Sequence, residues 1–447
     1  MKKLLILVVV LALALSFTSC AQLDRLKGID LPPLPTVTER PAATEKPETD
    51  PAAPAATEAP VVVVETGKSD ADAMRQSVVV NFRKTVMEEY DPAEGTQRIL
   101  LFSYVTPHVT MPGREAAADA INEYIAMLDE TYVTGNDYGD GPSDGYNGLL
   151  EQALDNFTYV HETGAGLALE YSSERTANVA RADGRVLSLV TNTSSYTGGA
   201  HGIYVESAYV FDTETGALLT LDKLTPDYAA FSTLVVQKMV EQAHSDQELY
   251  DAISSFVEES EWERSFAHLL REGSWYLNEN GLVLFSTLYE LAPYAAGIQT
   301  FTVSYADLGE LLYERWRVGE KQGEGGMEAQ FLSDVAEGSF PILDFVQIDA
   351  NGQQLCLRSG ARIYDVRLQR AEYMDWNNSF ALGETFWFCS CMENAGVQLV
   401  AELPEILPTL AVSYRTGAGE LHRALLIQSG EDGHLILQED GFGFYEH

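Results

Sequence analysis

The sequence predicts an α+β fold, in which an antiparallel sheet with packed helices is followed by a small all-β domain at the C-terminal end. Strand-like runs follow one another between residues 166 and 221 with short turns between them, a spacing typical of an antiparallel meander. Apolar residues recur at helical spacing in 114–131 and again in 227–243. From residue 331 onward, short apolar runs alternate with Gly, Asn and Pro turns, which favours a small β-sandwich or barrel.

The predicted elements follow in order along the chain. Two strands and two helices come first: Val78–Tyr90, Arg98–Val105, Arg114–Thr131 and Leu149 to about Val160. Four strands come next: Gly166–Ala180, Val186–Thr197, Ile203–Phe211 and Ala217–Leu221. The third group begins with a helix over 227–243, followed by further helical sequence to about Arg271. A hairpin (275–277 with 282–285), a strand (299–304) and a capped helix (304–313) complete it. Eight short strands end the chain: 343–348, 354–357, 362–368, 385–391, 397–403, 410–414, 424–428 and 435–438.

The first 19 residues have the features of a bacterial lipoprotein signal peptide. Lys2 and Lys3 precede an apolar run from Leu4 to Leu15, which is too short for a membrane span of about 20 residues. Small residues then lead to Cys20, as in a lipobox, so Cys20 is the predicted lipid attachment site. This places the mature chain on the outer face of the bacterial cell membrane. The alternative is an ordinary signal peptide with a chance cysteine.

A disordered tether is predicted over residues 20–70. Residues 31–67 hold eight of the 17 prolines, with Thr, Ala and Glu between them, a composition that favours extended polyproline II over a packed core. Ordered domains are predicted over 71–181, 182–318 and 331–447. The Gly-rich segment 319–330 is the predicted linker between the last two.

The charge of the chain restricts its partners. There are 67 acidic against 28 basic residues, for a net charge of −39. Such acidity disfavours nucleic acid and anionic membrane surfaces as binding partners. It suits a cationic partner, and it also keeps a secreted protein soluble without any partner.

A histidine on a glycine-rich turn is the first candidate site. The seven residues Tyr196–Gly202 interrupt two strand-like runs with glycines that permit positive φ, and they hold His201 at the bend beside Tyr196. The functional interpretation makes His201 a binding or acid–base residue. The structural interpretation makes it a residue that holds the hairpin through a backbone hydrogen bond.

The segment Tyr289–Gly297 is the second candidate. It joins two predicted strands and carries Tyr289, Pro293 and Tyr294. Rigid aromatic side chains bury a large area at low entropic cost, so these residues are candidate anchors for a protein partner. The alternative is an ordered loop that packs on its own domain.

Aspartates and cysteines form two weaker candidates. Asp137, Asp140 and Asp144 lie among glycines, but their spacing does not match an EF-hand, so a solvated loop is favoured over a calcium site and no metal is predicted. Cys389 and Cys391 would share one face of a strand, and Cys356 could form a disulfide with either of them. Three buried, unbridged thiols are the alternative.

The segments around these candidates resemble a known pair of envelope modules. Residues 196–202, Phe211-Asp212, Thr215-Gly216 and 221–224 resemble the RsiV-like domain, as do 275–277, Gly281-Leu282 and 289–297. The region from about Val78 to Arg181 is similar to the module at the front of PdaC-type peptidoglycan deacetylases. The resemblance covers about Ser77 to Tyr313. It implies an α+β envelope domain without known catalysis of its own, which serves as a lysozyme receptor in one anti-sigma factor and as an accessory in deacetylases.

The leading hypothesis is therefore a lipid-anchored, non-enzymatic binding protein of the cell envelope, whose ligand is a cationic protein such as lysozyme or a peptidoglycan component. The competing hypothesis is a peptidoglycan-modifying enzyme or its accessory subunit, with His201 beside a carboxylate. The chain lacks phosphate-loop, His-Glu-x-x-His and Gly-x-Ser-x-Gly motifs, and no cofactor is predicted.

Overall fold

The computed structural model describes residues 77–135, 143–164, 166–336, 338–374, 379–404, 407–429 and 433–446. The predicted signal peptide, the tether and Cys20 lie outside these residues, as do Asp137 and Asp140. The strands are β1 (Val79–Tyr90), β2 (Arg98–Thr110), β3 (Tyr171–Ala182), β4 (Val186–Tyr196), β5 (Ile203–Asp212), β6 (Trp275–Leu277), β7 (Gly281–Phe285), β8 (Thr300–Ser304), β9 (Met327–Phe331), β10 (Ile342–Gln347), β11 (Gln353–Ser359), β12 (Ile363–Met374), β13 (Ser379–Met392), β14 (Ala395–Ala401), β15 (Leu410–Arg415), β16 (Leu421–Gln428), β17 (Leu435–Gln438) and β18 (Gly443–Glu446). The α-helices are α1 (Glu115–Thr134), α2 (Tyr146–Thr163), α3 (Tyr228–Ser245), α4 (Gln247–Ser254), α5 (Trp262–Ala267) and α6 (Tyr305–Leu308).

Side-chain caps explain where several helices begin. The Asp227 carboxylate accepts a hydrogen bond from the Ala230 amide at 3.1 Å, at the start of α3. Asp246 caps α4 in the same way. The predicted cap of α6 is also present, since the Ser304 hydroxyl accepts from the Asp307 amide at 3.0 Å. Each cap satisfies amides that have no partner within the first helical turn.

Two predicted elements are shorter than expected. The predicted strand Ala217–Leu221 contributes only a single bridge between Phe211 and Leu218. Leu219 and Leu221 are buried in the neighbouring helical core, whereas Leu218 packs on the cluster beside α1, so the segment does not continue as a strand. The predicted helix to Tyr313 stops at Leu308, because Gly309 adopts a φ of 47°, a left-handed conformation that ends a helix. Strands β9 and β18 were not predicted.

The strands form three sheets in the described part of the chain. The largest has the order β17-β16-β15-β12-β13-β1-β2-β3-β4-β5, with β18 pairing beside β13. A four-stranded sheet has the order β10-β14-β11-β9, and a three-stranded sheet has the order β6-β7-β8. The protein is therefore a sheet-rich, mixed α/β structure with several sheets.

The predicted antiparallel sheet is in fact mixed. Strands β2 and β3 are parallel, with Leu100 opposite Tyr171. The chain between them contains α1 and α2, and a parallel pair needs such a crossover to return the chain to the same edge. The pairs β10–β14 and β13–β18 are also parallel.

The three largest hydrophobic clusters among the described residues hold most of the sheets and helices together. Buried residues of α3, α4 and α5 pack against the three-stranded sheet, with Phe231, Trp262 and Phe301 among them. Helix α1 packs its Ile121 and Ile125 against β1–β5. A third core lies between the four-stranded sheet and strands β12, β13, β15 and β16. Burying such side chains contributes roughly 1.5–3 kcal/mol each to stability.

Strand β1 joins the two ends of the described chain. It pairs with β2 on one side and with β13 on the other, where Val79 lies opposite Cys389. The Ser77 hydroxyl also donates to the Cys391 carbonyl at 2.6 Å. The C-terminal strands therefore continue the sheet that the N-terminal strands begin. The domain boundaries after 181, 318 and 330 stay predictions.

Neither possible disulfide, of Cys356 with Cys389 or with Cys391, is formed. Cys356, Cys389 and Cys391 are all free thiols. Leu355 and Leu357 point into the core between the sheets, so Cys356 between them points to the opposite face of β11, away from Cys389 in that core. Burial raises the pKa of all three thiols, that of Cys391 to about 11, which keeps them protonated and unreactive at neutral pH.

Within the described ranges, no helix has both the length and the apolar character that crossing a membrane requires.

Candidate functional site

The β4–β5 hairpin holds the predicted histidine at its turn. Ser195 and Ile203 form the last strand pair before the turn, and Gly198 and Gly199 have φ values of 96° and 95°, which favour glycine. The Tyr196 hydroxyl donates to the Gly199 carbonyl at 3.2 Å. Tyr196 therefore supports the shape of the turn.

The segment Tyr289–Gly297, called here the tyrosine loop, is held in place by buried residues and by a short helical turn within it. Leu291 and Ala292 are buried, and Pro293 precedes a 3-10 turn over Tyr294–Ala296. Tyr289 has a φ of 62°, an unusual conformation for a bulky residue. Backbone strain of this kind persists only where surrounding contacts hold it.

Glu290 supplies those contacts. Its Oε2 accepts hydrogen bonds from the Arg271 guanidinium and the Thr287 amide, both at 2.8 Å. Burial alone would raise the pKa of Glu290, but the bonds from Arg271 and Thr287 outweigh it and lower the pKa. The carboxylate is therefore ionised at neutral pH and holds the tyrosine loop to the segment before β6.

The hairpin turn and the tyrosine loop meet. The rings of His201 and Tyr294 stack with centroids 3.9 Å apart and planes 22° from parallel. The Tyr294 hydroxyl donates to the Gly202 carbonyl at 3.0 Å. The Tyr289 ring lies 5.8 Å from that of Tyr294, and its hydroxyl is 3.5 Å from His201 Nε2. These three half-buried rings, His201, Tyr289 and Tyr294, are called the aromatic cluster.

The hydrogen bonds of His201 indicate a positioned ring. Its Nδ1 lies 2.9 Å from the Gly202 carbonyl, and because a carbonyl only accepts, Nδ1 carries the proton. Among the described residues, the hydrogen-bond partners of His201 are this carbonyl and the Tyr289 hydroxyl, and none is a carboxylate. The arrangement offers aromatic faces for stacking and polar ring edges for hydrogen bonds.

The structure thus brings together most of the predicted site residues. His201 and Tyr294 are in contact, Tyr289 lies beside them, and Pro293 shapes the loop, whereas Tyr196 bonds within its own turn. Sequence reasoning missed the Arg271–Glu290 pair, because nothing local relates two charged residues 19 positions apart.

Metal sites need a set of ligating side chains that lie close together. Within the part of the chain that the structure describes, no group of three or more His, Cys, Asp or Glu side chains could hold a metal ion. Asp144 is the one residue of the predicted aspartate loop that is described.

Comparisons with known proteins find a family match in the middle of the chain. Residues 223–306 match DUF3298, a protein family of unknown function. None of the curated proteins matches the chain. A crystal structure of a DUF3298 family member from Bacteroides fragilis NCTC 9343 aligns with a TM-score of 0.38 at 17% identity, covering 53% of this chain and 94% of that chain. A DUF3298 family protein from Pseudomonas aeruginosa PAO1 aligns with a TM-score of 0.36 at 19% identity, covering 54% of this chain and 97% of that chain.

The matched residues contain the tyrosine loop, α3, α4, α5 and the three-stranded sheet, and the hairpin that carries His201 precedes them. The chain therefore contains a DUF3298 domain, a domain of unknown function, at residues 223–306.

Proposed function

We propose that this protein is a lipid-anchored, extracytoplasmic binding protein of the cell envelope, and that the aromatic cluster is its contact surface for a cationic protein such as lysozyme. The observation that carries the proposal is the stacking of His201 on Tyr294, with Tyr289 beside them, on loops that are fixed but half-exposed. Pre-organised aromatic side chains make strong contact anchors, because little conformational entropy is lost when a partner covers them.

Two sequence features support this choice of partner. The resemblance to the RsiV-like domain implies a lysozyme receptor in one member of that family. The net charge of −39 would attract a cationic protein and accelerate its association. The finer fold assignment belongs to the same proposal: a PdaC-like module over 71–181, an RsiV-like domain over 182–318 and a separate all-β domain over 331–447.

The competing hypothesis, a peptidoglycan-modifying enzyme or its accessory subunit, needs an acid–base partner for His201. The ring is bonded to a backbone carbonyl and a tyrosine instead. A glycan that stacks on the cluster is therefore the alternative ligand, and the binding experiment below distinguishes it from a protein.

The test compares the affinity of the immobilised wild-type protein for lysozyme with that of the Tyr294→Ala variant, at moderate salt. Removing a central aromatic anchor should weaken binding by about tenfold or more. The matched control is Tyr313→Ala, since Tyr313 is a tyrosine with 45% exposure. Tyr313 lies near the start of β4, since Arg185 contacts the neighbouring Glu314, whereas the cluster lies beyond the other end of this 11-residue strand, which is about 33 Å long.

Salt separates specific binding from simple charge attraction. A contact made by the aromatic cluster should persist when salt is raised from about 0.1 M to about 0.5 M, where exposed charges are screened. Lysozyme binding that disappears with salt and is unaffected by Tyr294→Ala would contradict the proposed site. Binding of peptidoglycan fragments that depends on Tyr294, without lysozyme binding, would replace the protein ligand by a glycan.

The proposed lipid attachment at Cys20 is tested by a separate experiment. Cells that express the full chain and are fed a labelled fatty acid should incorporate label into the wild-type protein and not into Cys20→Ser. A Cys391→Ser variant is the matched control, since it removes a thiol outside the lipobox. Equal labelling of all three proteins would exclude Cys20 as the attachment site.

A further inference from the structure

A polar cavity of about 310 Å³ opens on one face of the largest sheet. Strands β12, β13 and β15 form one side of it, and Asn178 and Ala180 of β3 form another. The cavity is distant in sequence from the aromatic cluster, and its lining includes neither His201 nor the tyrosine loop. Its volume lies at the lower end of the range for small-molecule sites.

The floor of the cavity is polar where a sheet interior is usually apolar. Gln369, Ser413 and Thr385 line it and are 8%, 3% and 5% exposed. The Ser413 hydroxyl donates to the Gln369 side-chain oxygen at 3.0 Å. Buried polar groups are costly unless they have partners, so this floor is suited to hydrogen-bond a polar ligand.

Two arginines give the cavity a positive wall. Arg367 donates to the Val179 carbonyl at 2.9 Å, and its guanidinium lies 5.2 Å from the Phe388 ring. Arg415 donates to the Gly419 carbonyl at 3.1 Å. Within the described part of the chain, no carboxylate lies within ion-pair distance of Arg415. An arginine without an acidic partner is notable in a protein with 67 acidic residues.

The acidic groups of the lining are already paired. Lys321 Nζ lies 3.0 Å from Asp365 and 3.1 Å from Glu279, both of which line the cavity. Asp365 has a φ of 51° at an irregularity in β12, where the pairing with β15 shifts register. Bulges of this kind re-aim side chains and occur next to binding sites.

We infer that this cavity binds a small organic carboxylate, of amino-acid to dipeptide size. The carboxylate would lie against the guanidinium groups of Arg367 and Arg415, which match its geometry. The amide and hydroxyls of the floor would bind its remaining polar atoms, and Leu382 and Phe388 would contact its carbon skeleton. Asp365 and Glu279 favour a singly charged ligand, because they repel a phosphate dianion more strongly than a monoanion.

The test is isothermal titration calorimetry on the intact protein at low salt with three probes. N-acetylalanine carries one carboxylate, N-acetylalanine amide is the same molecule without the charge, and inorganic phosphate is the alternative anion. We expect N-acetylalanine to bind about tenfold or more tightly than the amide, since a charge-assisted hydrogen bond is lost. The Arg415→Gln variant should weaken N-acetylalanine binding by a similar factor.

Arg264→Gln is the matched control, since its side chain is 78% exposed on α5 and the charge change is identical. Arg264→Gln and Tyr294→Ala should each leave the affinity for N-acetylalanine within about twofold. Thr385→Val, which keeps the side-chain volume and removes the hydroxyl, should weaken it several-fold and tests the floor independently of any fold defect in Arg415→Gln.

Three results would overturn the inference: equal binding of the acid and the amide, binding of phosphate alone, or no heat with N-acetylalanine up to about 10 mM. The lysozyme experiment depends on Tyr294 and the N-acetylalanine experiment depends on Arg415. A negative result in one experiment therefore leaves the interpretation of the other unchanged.

Discussion

The aromatic cluster and the arginine-lined cavity are built in opposite ways. The cluster consists of rings carried by a hairpin turn and a loop, and its polar atoms bond mainly to each other and to Gly202. The cavity consists of side chains from strands, with Arg367, Gln369 and Ser413 on a sheet face. Loop residues can be recognised by the glycines and prolines around them, whereas strand residues share the alternation of any solvated sheet face.

The two regions also differ in electrostatics. At the cluster, the charge pair of Arg271 with Glu290 is internal and fixes the tyrosine loop. At the cavity, Lys321 pairs with both acidic residues of the lining, Glu279 and Asp365, and the guanidinium of Arg415 lies in the same lining. A region whose charge pair is internal suits a surface that binds through aromatic area, and a region lined by arginines suits an anion.

The largest effect is expected at Arg181, which lines the cavity and ties it to the segment after α6. Its fully buried guanidinium pairs with Asp183 at 2.7 Å and donates to the Tyr305 hydroxyl at 2.7 Å and the Trp316 carbonyl at 2.6 Å. Burial alone lowers the pKa of Arg181, but Asp183 and Tyr305 outweigh it and raise the pKa. Arg181→Ala should reduce the free energy of unfolding by about 3 kcal/mol, because several buried groups lose their partner.

Urea denaturation followed by circular dichroism measures this loss. Arg185→Ala is the control, because Arg185 lies only four residues later in the chain and is exposed, so its effect should be below about 0.5 kcal/mol. Equal losses of unfolding free energy in the two variants would show that Arg181 does not link the cavity to the segment after α6.

The next effect is expected at Glu290, which holds the tyrosine loop in place and does not line the cavity. Glu290→Gln removes the charge that holds Arg271, and should reduce stability by about 1 kcal/mol, a value kept small because Arg271 is 40% exposed. Partner binding by the cluster should weaken, while N-acetylalanine binding should not change. Glu263→Gln, an exposed glutamate on α5, is the control for both readouts.

The pH dependence of this contribution has a defined sign. The pKa of Glu290 in the folded protein is lowered from 4.5. Its contribution is therefore fully present above pH 4.5 and is lost as the pH falls through the lowered pKa. A wild-type and Glu290→Gln stability difference that grows on acidification would contradict the role of the carboxylate.

A smaller effect is expected for Tyr294→Phe, which separates stacking from hydrogen bonding within the cluster. The variant keeps the ring against His201 and loses the hydroxyl bond to Gly202, so stability should fall by about 0.5–1 kcal/mol. Lysozyme binding should change by only a few-fold, in contrast to Tyr294→Ala. A loss as large as that of Tyr294→Ala would place the binding energy in the hydroxyl instead of the ring.

The smallest effect is expected at His244, outside both regions. Its Nε2 lies 2.8 Å from Glu259 and its Nδ1 lies 2.8 Å from the Val240 carbonyl, and these bonds raise the pKa of His244 above 6.5 and lower that of Glu259 below 4.5. The pair is therefore fully formed between about pH 4.5 and 6.5, and is lost as pH rises through the raised pKa. NMR titration should show a lower His244 pKa in Glu259→Gln, and an unchanged value would contradict the pairing.

The elements that the sequence predicted well have strong local signals. Alternating runs such as β1 and β4, and the 3.6-residue period of α1 and α3, appear within three residues of their expected bounds. Pairing partners carry no such signal. The parallel β2–β3 pair and the β1–β13 pair depend on where helices and distant strands pack, which a window of neighbouring residues does not contain.

The sequence by itself determined which residues of the candidate site stand on turns, because glycine permits a positive φ, as at Gly198 and Gly199, and proline fixes φ, as at Pro293. It did not determine that His201 meets Tyr289, 88 positions later, or that Arg367 and Arg415 line one cavity. Those contacts were decided by the tertiary structure, since burial of the apolar faces of sheets and helices brings distant segments together and sets what their polar residues face.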